Sequence, residues 1–251
     1  MTVYIGDVKY VPGTYAKKKP SAAELAEQCI LGWEEKRLEG KKKEDRLEKI
    51  PPAVCFSRKI GVGALEIADI LAEKLGYYVV DREILEHIAH QAGLSEKTVE
   101  LFDERYAGKL NEFLMLILGE KSFIQSDYSR ILSRTVLSIA GLGPTIFVGR
   151  GTHLLLPRDR VLAVRFIASR NHRAKRLAAV LGVPQEEADR KIADIDREQK
   201  EFFKKVYGKS DARAYEFDMV INLDYLPDPQ WSAEIVAFAL RQKFGPDMET
   251  L

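Results

Sequence analysis

The stretch Ala53–Gly76, "AVCFSRKIGVGALEIADILAEKLG", constrains the fold more than any other part of the chain. Its first residues, "AVCFS", form a short apolar run of buried-strand character. Leu65, Ile67, Ala68, Leu71, Ala72 and Leu75 then recur at helical spacing, and Gly76 stands where such a helix ends. Between strand and helix lie Gly61 and Gly63, spaced G-x-G. Glycine lets the backbone turn with positive φ and leaves N–H groups open toward an anion, and a helix N-terminus adds partial positive charge. Strand, glycine turn and helix in this order are the layout of a phosphate-binding loop. The lysine and Ser/Thr that usually follow the second glycine are missing, and Ala64, Leu65 and Glu66 stand there instead. The turn reads either as a modified phosphate cradle, with Arg58 and Lys59 as its local cations, or as a purely structural turn.

The same rhythm continues downstream. "YYVV", "PTIFVG", "VLAVRFIA" and "MVINL" read as four further short strands. Helical periodicity fills the gaps: a long helical region over about 82–141, which includes "EFLMLILGE", then "RNHRAKRLAAVLG", "PQEEADRKIADIDREQKEFFKKVYG" and "DPQWSAEIVAFALRQKFG". Short apolar strands alternating with helices imply a parallel sheet covered on both faces. In such sheets ligands bind at the carboxyl ends of the strands. The residues that follow the strands are Ser57-Arg58-Lys59, Asp81-Arg82, Gly149-Arg150-Gly151, Ser169-Arg170 and Asp224, and arginine recurs among them.

Residues 1–50 have a different character. A short strand or irregular arm carries turn signals at Pro12-Gly13 and the basic run Lys17-Lys18-Lys19. Ser21 and Glu24 have the capping-box spacing that opens a helix. A lysine-rich stretch follows, and Pro51-Pro52 closes it. These residues are expected to form a charged helical extension that can be removed without unfolding the rest.

The chain has 251 residues with a formal net charge of +1, so any anion site must be local. Balanced charge and the lack of aromatic residues interleaved with basic ones argue against nucleic acid as a partner. No apolar run approaches the ~20 residues of a membrane span. There is no secretory leader pattern at the N-terminus. Cys29 and Cys55 lack metal-type neighbours, and two thiols fit a reducing, cytoplasmic setting. Trp33 and Trp231 read as packing residues. His87 and His90 lie one turn apart beside Glu83 and Glu86, but no third metal ligand is placed by the sequence.

Over about residues 53–243 the chain resembles the cytidylate kinase-like branch of the P-loop nucleoside monophosphate kinases. Four ordered blocks carry the resemblance: "SRKIGVGALEIADILAEKLGYYVVDREIL", "IFVGRGTHLLL", "ASRNHRAKRLAAVLGVPQEEADRKIADIDREQKEFFKKVYG" and "FDMVINLDYL". The resemblance implies an α/β, P-loop-kinase-like three-layer fold with a five-stranded parallel sheet. A helical lid over about 184–210 and the helical N-terminal extension complete it. It further implies transfer of a phosphoryl group from ATP, with Mg2+, to a nucleoside monophosphate or similar small phosphate acceptor. Relatives often carry a basic residue at the position of Leu65, so the loop departs from its own branch as well. Some carry an aspartate after the strand-three arginine, where this chain has Gly151, and cytidine specificity is therefore not implied.

The candidate site follows. Ser57, Arg58, Lys59, Gly61 and Gly63 would hold the donor phosphates. Glu66 stands where a hydroxyl would bind magnesium; its carboxylate could do so or repel phosphate. Arg150, between two glycines, could grip the acceptor phosphate with two hydrogen bonds; its bland role is an ion pair between strand and helix. Asp81 suits a magnesium-associated carboxylate or a base, and equally the N-cap of the next helix. Arg82 is an acceptor ligand or a surface charge. Arg170, Arg173 and Arg176 form one stripe, and Arg190, Arg197 and Lys204 another. Arg173, Arg190 and Arg197 would neutralise the transferring group, or pair with Glu186, Glu187, Asp194 and Glu198 on a solvated face. The rival function is a kinase-derived module that senses nucleotide or binds a partner without turnover. A homodimer is compatible with either.

Overall fold

Two short strands, β1 (Val3–Ile5) and β2 (Val8–Tyr10), pair antiparallel at the N-terminus. The computed structural model describes residues 3–5, 8–10, 21–40, 50–106 and 127–248. The segments 17–19, 41–49 and 112–120, for which basic character or a helix is expected above, lie outside them. Helix α1 (Ala22–Gly40) opens on the expected capping box. The Ser21 N–H donates to Glu24 Oε2 at 2.8 Å, and the Glu24 N–H donates to Ser21 Oγ at 3.2 Å.

The main sheet is built from period-two alternation. Its strands are β3 (Ala53–Arg58), β4 (Tyr78–Asp81), β5 (Thr145–Val148), β6 (Val161–Ile167) and β7 (Met219–Asn222). All pairings are parallel, in the order β4-β5-β3-β6-β7. Ala53 and Cys55 face one layer, together with Phe147, Val161 and Ala163. Val54 and Phe56 face the other, together with Ile146, Val148, Leu162 and Val164. Burial on both faces is why these strands read as unbroken apolar runs.

Helices α2 (Ala64–Leu75) and α8 (Pro229–Met248) cover the second face. The first face is covered by α3 (Arg82–His90), α4 (Ala92–Tyr106) and α5 (Asp127–Leu142). The remaining pair, α6 (Arg170–Leu181) and α7 (Gln185–Tyr207), packs as a hairpin with a small core of its own. Ile60, from the turn after β3, is inserted into that core with Ala174, Leu177 and Ile192. No helix among the described residues is long and apolar enough to cross a membrane.

Two expectations need correction. The N-terminal extension is not separate in packing. Ala26, Cys29, Ile30 and Trp33 of α1 are buried in the same cluster as β3, α3 and α5. Trp33 meets Tyr78 edge-on at 5.8 Å, and Lys97 on α4 pairs with Glu34 at 2.8 Å. The charged residues of α1 hide a narrow apolar stripe that the overall polarity of residues 1–50 masked. Trp231 is not a packing residue: with Ile235 and Phe238 it is exposed on one face of α8.

Candidate functional site

Parallel order places the carboxyl ends of β3, β4 and β5 side by side, with β5 between the other two. Each end carries a cation: Arg58, Arg82 and Arg150. The Gly149 N–H donates to the Phe56 carbonyl at 2.8 Å, which fixes the end of β5 beside that of β3.

The turn after β3 is held open. Gly61 and Gly63 have φ of +80° and +90°, conformations that a side chain disfavours. The backbone N–H groups of Gly61, Val62, Gly63, Ala64 and Leu65 donate to no acceptor among the described residues. Five successive free amides at the start of a twelve-residue helix form an anion-binding concavity. Its carbonyls are tied from outside. Gln199 Nε2 donates to the Arg58 carbonyl at 2.9 Å, and Arg173 Nη1 to the Ile60 carbonyl at 3.3 Å. Both tethers come from the α6–α7 hairpin.

Arg150 is the centre of the second half. It has φ +53° and is the one non-glycine residue with positive φ among those described, between Gly149 at +96° and Gly151 at +67°. Such backbone strain costs about 1–2 kcal/mol and concentrates at functional positions. The Tyr207 hydroxyl, donating to the Arg150 carbonyl, holds it in place. A Cβ on Gly151 would stand 2.7 Å from the Tyr207 ring, so glycine is required there. The Arg150 guanidinium is largely buried, lies over the Phe202 ring at 4.0 Å and pairs with Glu86. Glu86 also faces Arg82 at 3.5 Å. Burial, then the neighbouring Arg82 and Arg58, pull the Arg150 guanidinium down to about 9, while Tyr207 acts the other way. Arg82 and Arg150 thus converge on one carboxylate, Glu86, with Arg58 near enough to act on Arg150.

A cleft of about 440 Å3 opens between the end of β3 and α7. Ser57, Arg58, Lys59, Arg165, Arg197 and Lys200 line it, against the acids Asp196 and Asp211. Arg165 is braced by Asp211 Oδ1 at 3.0 Å and the Ala212 carbonyl at 2.6 Å.

Other candidate residues sit elsewhere or are engaged. Asp81 caps α3, accepting from the N–H groups of Glu83 at 2.9 Å and Ile84 at 3.0 Å through one oxygen. Arg173 is buried and spends its fork on Asp196, at 2.9 and 2.8 Å. Arg197 is exposed, at 3.7 Å from Asp194. Arg190 is exposed and does not line the cleft. Glu66 pairs with Arg176. Asp224 braces the cap of α6, accepting from the Ser169 N–H at 2.8 Å and hydroxyl at 3.0 Å. Among the described residues, His87 and His90 belong to no group of three or more potential metal ligands.

Glu86, Phe202, Tyr207, Gln199 and Arg165 were not singled out from sequence. Two had a signal: Glu86 lies one turn after Arg82, and Arg165 interrupts an apolar strand.

A glycine turn after the central strand, arginines at the adjacent strand ends and a helical hairpin tied to the turn define a P-loop-kinase-like protein. The model of the cytidylate kinase-like family matches residues 53–225. The chain belongs to that family. Among solved structures, an uncharacterized protein from Eubacterium ventriosum is 16% identical with a TM-score of 0.57, over 76% of this chain and 98% of that one. A shikimate kinase from Bacteroides thetaiotaomicron is 14% identical with a TM-score of 0.37, over 76% of this chain and 96% of that one. No curated protein is significantly similar to the chain.

Proposed function

We propose that the protein transfers a phosphoryl group from ATP to a nucleoside monophosphate or a similar small phosphate acceptor. The observation that carries this reading is the run of free amides from Gly61 to Leu65, set beside the Arg58, Arg82 and Arg150 cluster. The amides, with Ser57, Arg58 and Lys59, bind the donor phosphates. Arg150 and Arg82 bind the acceptor phosphate, which relieves the repulsion that Glu86 only partly offsets. Arg197 and Lys200 line the cleft and face the transferring charge. Arg173 acts on the turn, through Ile60, and not on the substrate. Catalysis by such a site is positioning and electrostatic stabilisation, with little covalent work for the protein.

Magnesium would come bound to the nucleotide's phosphates, and Asp81 would be the carboxylate to hold it. It takes one or two carboxylates along with phosphate oxygens and water. That demand fits a site where Glu66 is engaged by Arg176 and Asp81 has one oxygen not used by the cap.

The test is incubation of labelled ATP and Mg2+ with AMP, CMP, UMP and GMP in turn. One acceptor should yield its diphosphate and ADP in equal amounts. Arg150→Lys, which removes the planar fork, should lower kcat/KM for it by about tenfold or more. ATP binding with no acceptor phosphorylated would favour the second reading, a nucleotide-sensing module without turnover. That reading has its own support: Ala64 and Leu65, at the usual cation positions, are buried in the core.

A further inference from the structure

If the turn binds a triphosphate, some group has to replace the missing lysine. Ala64 and Leu65 cannot, since both side chains pack against α8 and the sheet. Arg58 and Lys59 lie at the β3 side of the turn and line the cleft under α7. A guanidinium does reach the other side. Arg176, on α6, lies against Gly63: a Cβ built there would stand 2.7 Å from Nε, 2.9 Å from Cζ and 2.9 Å from Nη2. The space beside residue 63 is therefore taken by the end of an arginine that comes from 113 positions away in sequence.

Of the three arginines of this stripe, Arg170 is bonded to Asp189, and Arg173 and Arg176 differ in what they hold. Arg173 is buried, and Asp196 and the Ile60 carbonyl occupy its fork. Arg176 bonds one acceptor, Glu66, through Nη2. Its side chain is 24% exposed. Its Nε and Nη1 groups have no acceptor among the described residues. An arginine fork holds five N–H donors, so most of this one remains available. Glu66 sits in the first turn of α2, next to the free amides, and fixes where the fork lies.

We propose that Arg176 supplies from α6 the positive charge that the turn lacks. Its free N–H groups bind the β- and γ-phosphates of a nucleoside triphosphate seated on the Gly61–Leu65 amides. Glu66 is the positioning residue that holds the guanidinium over Gly63. The assignment rests on the donor reading given above. It also accounts for the tolerance of Ala64: the cation has moved to another element, and the helix position is free to join the core.

Calorimetry with ATP, ADP and AMP in magnesium buffer tests it, using the full chain and its Arg176→Gln and Arg176→Lys variants. The loss in Arg176→Gln should grow with phosphate number: about tenfold or more for ATP, less for ADP and none for AMP. Arg176→Lys keeps the charge and should retain most of the ATP affinity. Equal ATP affinity in wild type and Arg176→Gln overturns the assignment and leaves the donor reading intact. Equal losses for all three nucleotides also overturn it, because they mark a distorted site and not a lost phosphate ligand. No ATP binding by the wild type removes the donor reading, and this inference with it. If Arg176→Gln fails to fold, Glu66→Gln, which releases the guanidinium from its place, decides instead. An unchanged ATP-to-AMP affinity ratio in Glu66→Gln then overturns the assignment, and a lowered ratio supports it.

Discussion

Gly61 and Gly63 look alike in sequence and differ in what surrounds them. A Cβ on Gly61 would stand 2.8 Å from the Arg173 carbonyl oxygen, which is backbone in the first turns of α6 and cannot swing away. Gly61→Ala combines that clash with a left-handed φ and should cost roughly 1–3 kcal/mol of stability. A Cβ on Gly63 meets only the flexible end of Arg176. Gly63→Ala should therefore cost less stability than Gly61→Ala while displacing the guanidinium. Chemical denaturation of both variants checks the ordering, and a larger loss for Gly63→Ala would contradict it. The Arg173–Asp196 pair adds a related expectation. Removing one partner of a largely buried bidentate pair costs roughly 3 kcal/mol, so Arg173→Met should unfold at lower denaturant. If it instead kept full stability and lost only turnover, Arg173 would be a substrate ligand after all. The glycines and Arg150 were legible because their types and their place after a strand are local properties. The engagement of Arg173 was not, since Asp196 lies on the next helix and the pairing exists only once α6 and α7 have packed. Glu66 and Arg176, 110 positions apart, were hidden for the same reason.

At the scale of elements, the two cysteines report on different layers. Cys55 lies in the central strand, and Cys29 lies on α1. Burial, reinforced weakly by Asp81, pushes the Cys29 thiol up to about 11; burial pushes Cys55 up to about 12. At pH 8 neither has an appreciable thiolate fraction in the folded state, so a thiol-specific reagent should label them only through opening. Opening of α1 detaches one helix from the outer side of its layer and leaves the sheet paired, whereas exposure of Cys55 requires the sheet to come apart. Cys29 should be labelled at lower denaturant than Cys55. Simultaneous labelling would mean that α1 and the sheet unfold as one unit. The pH dependence has a definite sign. Unfolded thiols ionise near 9 while the folded ones keep their protons to about 11 and 12. The unfolded state then binds fewer protons in that window, so stability falls as pH rises through it. Replacing both cysteines by alanine should flatten that fall. Strand and helix positions across the core were legible from periodicity, since two-sided burial writes continuous apolar runs. Helix α1 was legible as a helix from its capping box, but not as a core element, because its buried residues among those described, Ala26, Cys29, Ile30 and Trp33, are few and set among charges.

For the whole molecule, that packing changes what the N-terminal residues are expected to do. The alternation of apolar strands and helices already implied the parallel sheet, and parallel pairing in the order β4-β5-β3 brings the three strand ends together. The boundary of the folding unit was harder to see. Pro51-Pro52 and the surrounding charge suggested a break, yet Ile50 is buried in the main cluster and both prolines are buried. A chain starting at Pro52 would uncover the Tyr78 ring that Trp33 meets, and the part of the main cluster that Ala26, Cys29 and Ile30 complete. Fully burying a large apolar side chain contributes about 1.5–3 kcal/mol. Loss of Cys29, Ile30 and Trp33 together therefore removes on the order of 5 kcal/mol, a large share of the 5–15 kcal/mol typical of a folded domain. The truncated chain should melt well below the full one, or expose enough apolar surface to bind a hydrophobic dye. Trp33→Ala in the full chain is the milder version, and its melting temperature should fall between the two. An equal melting temperature for the truncated and full chains would show that α1 rests on the sheet layer without stabilising it, and would restore the reading of residues 1–50 as a removable extension.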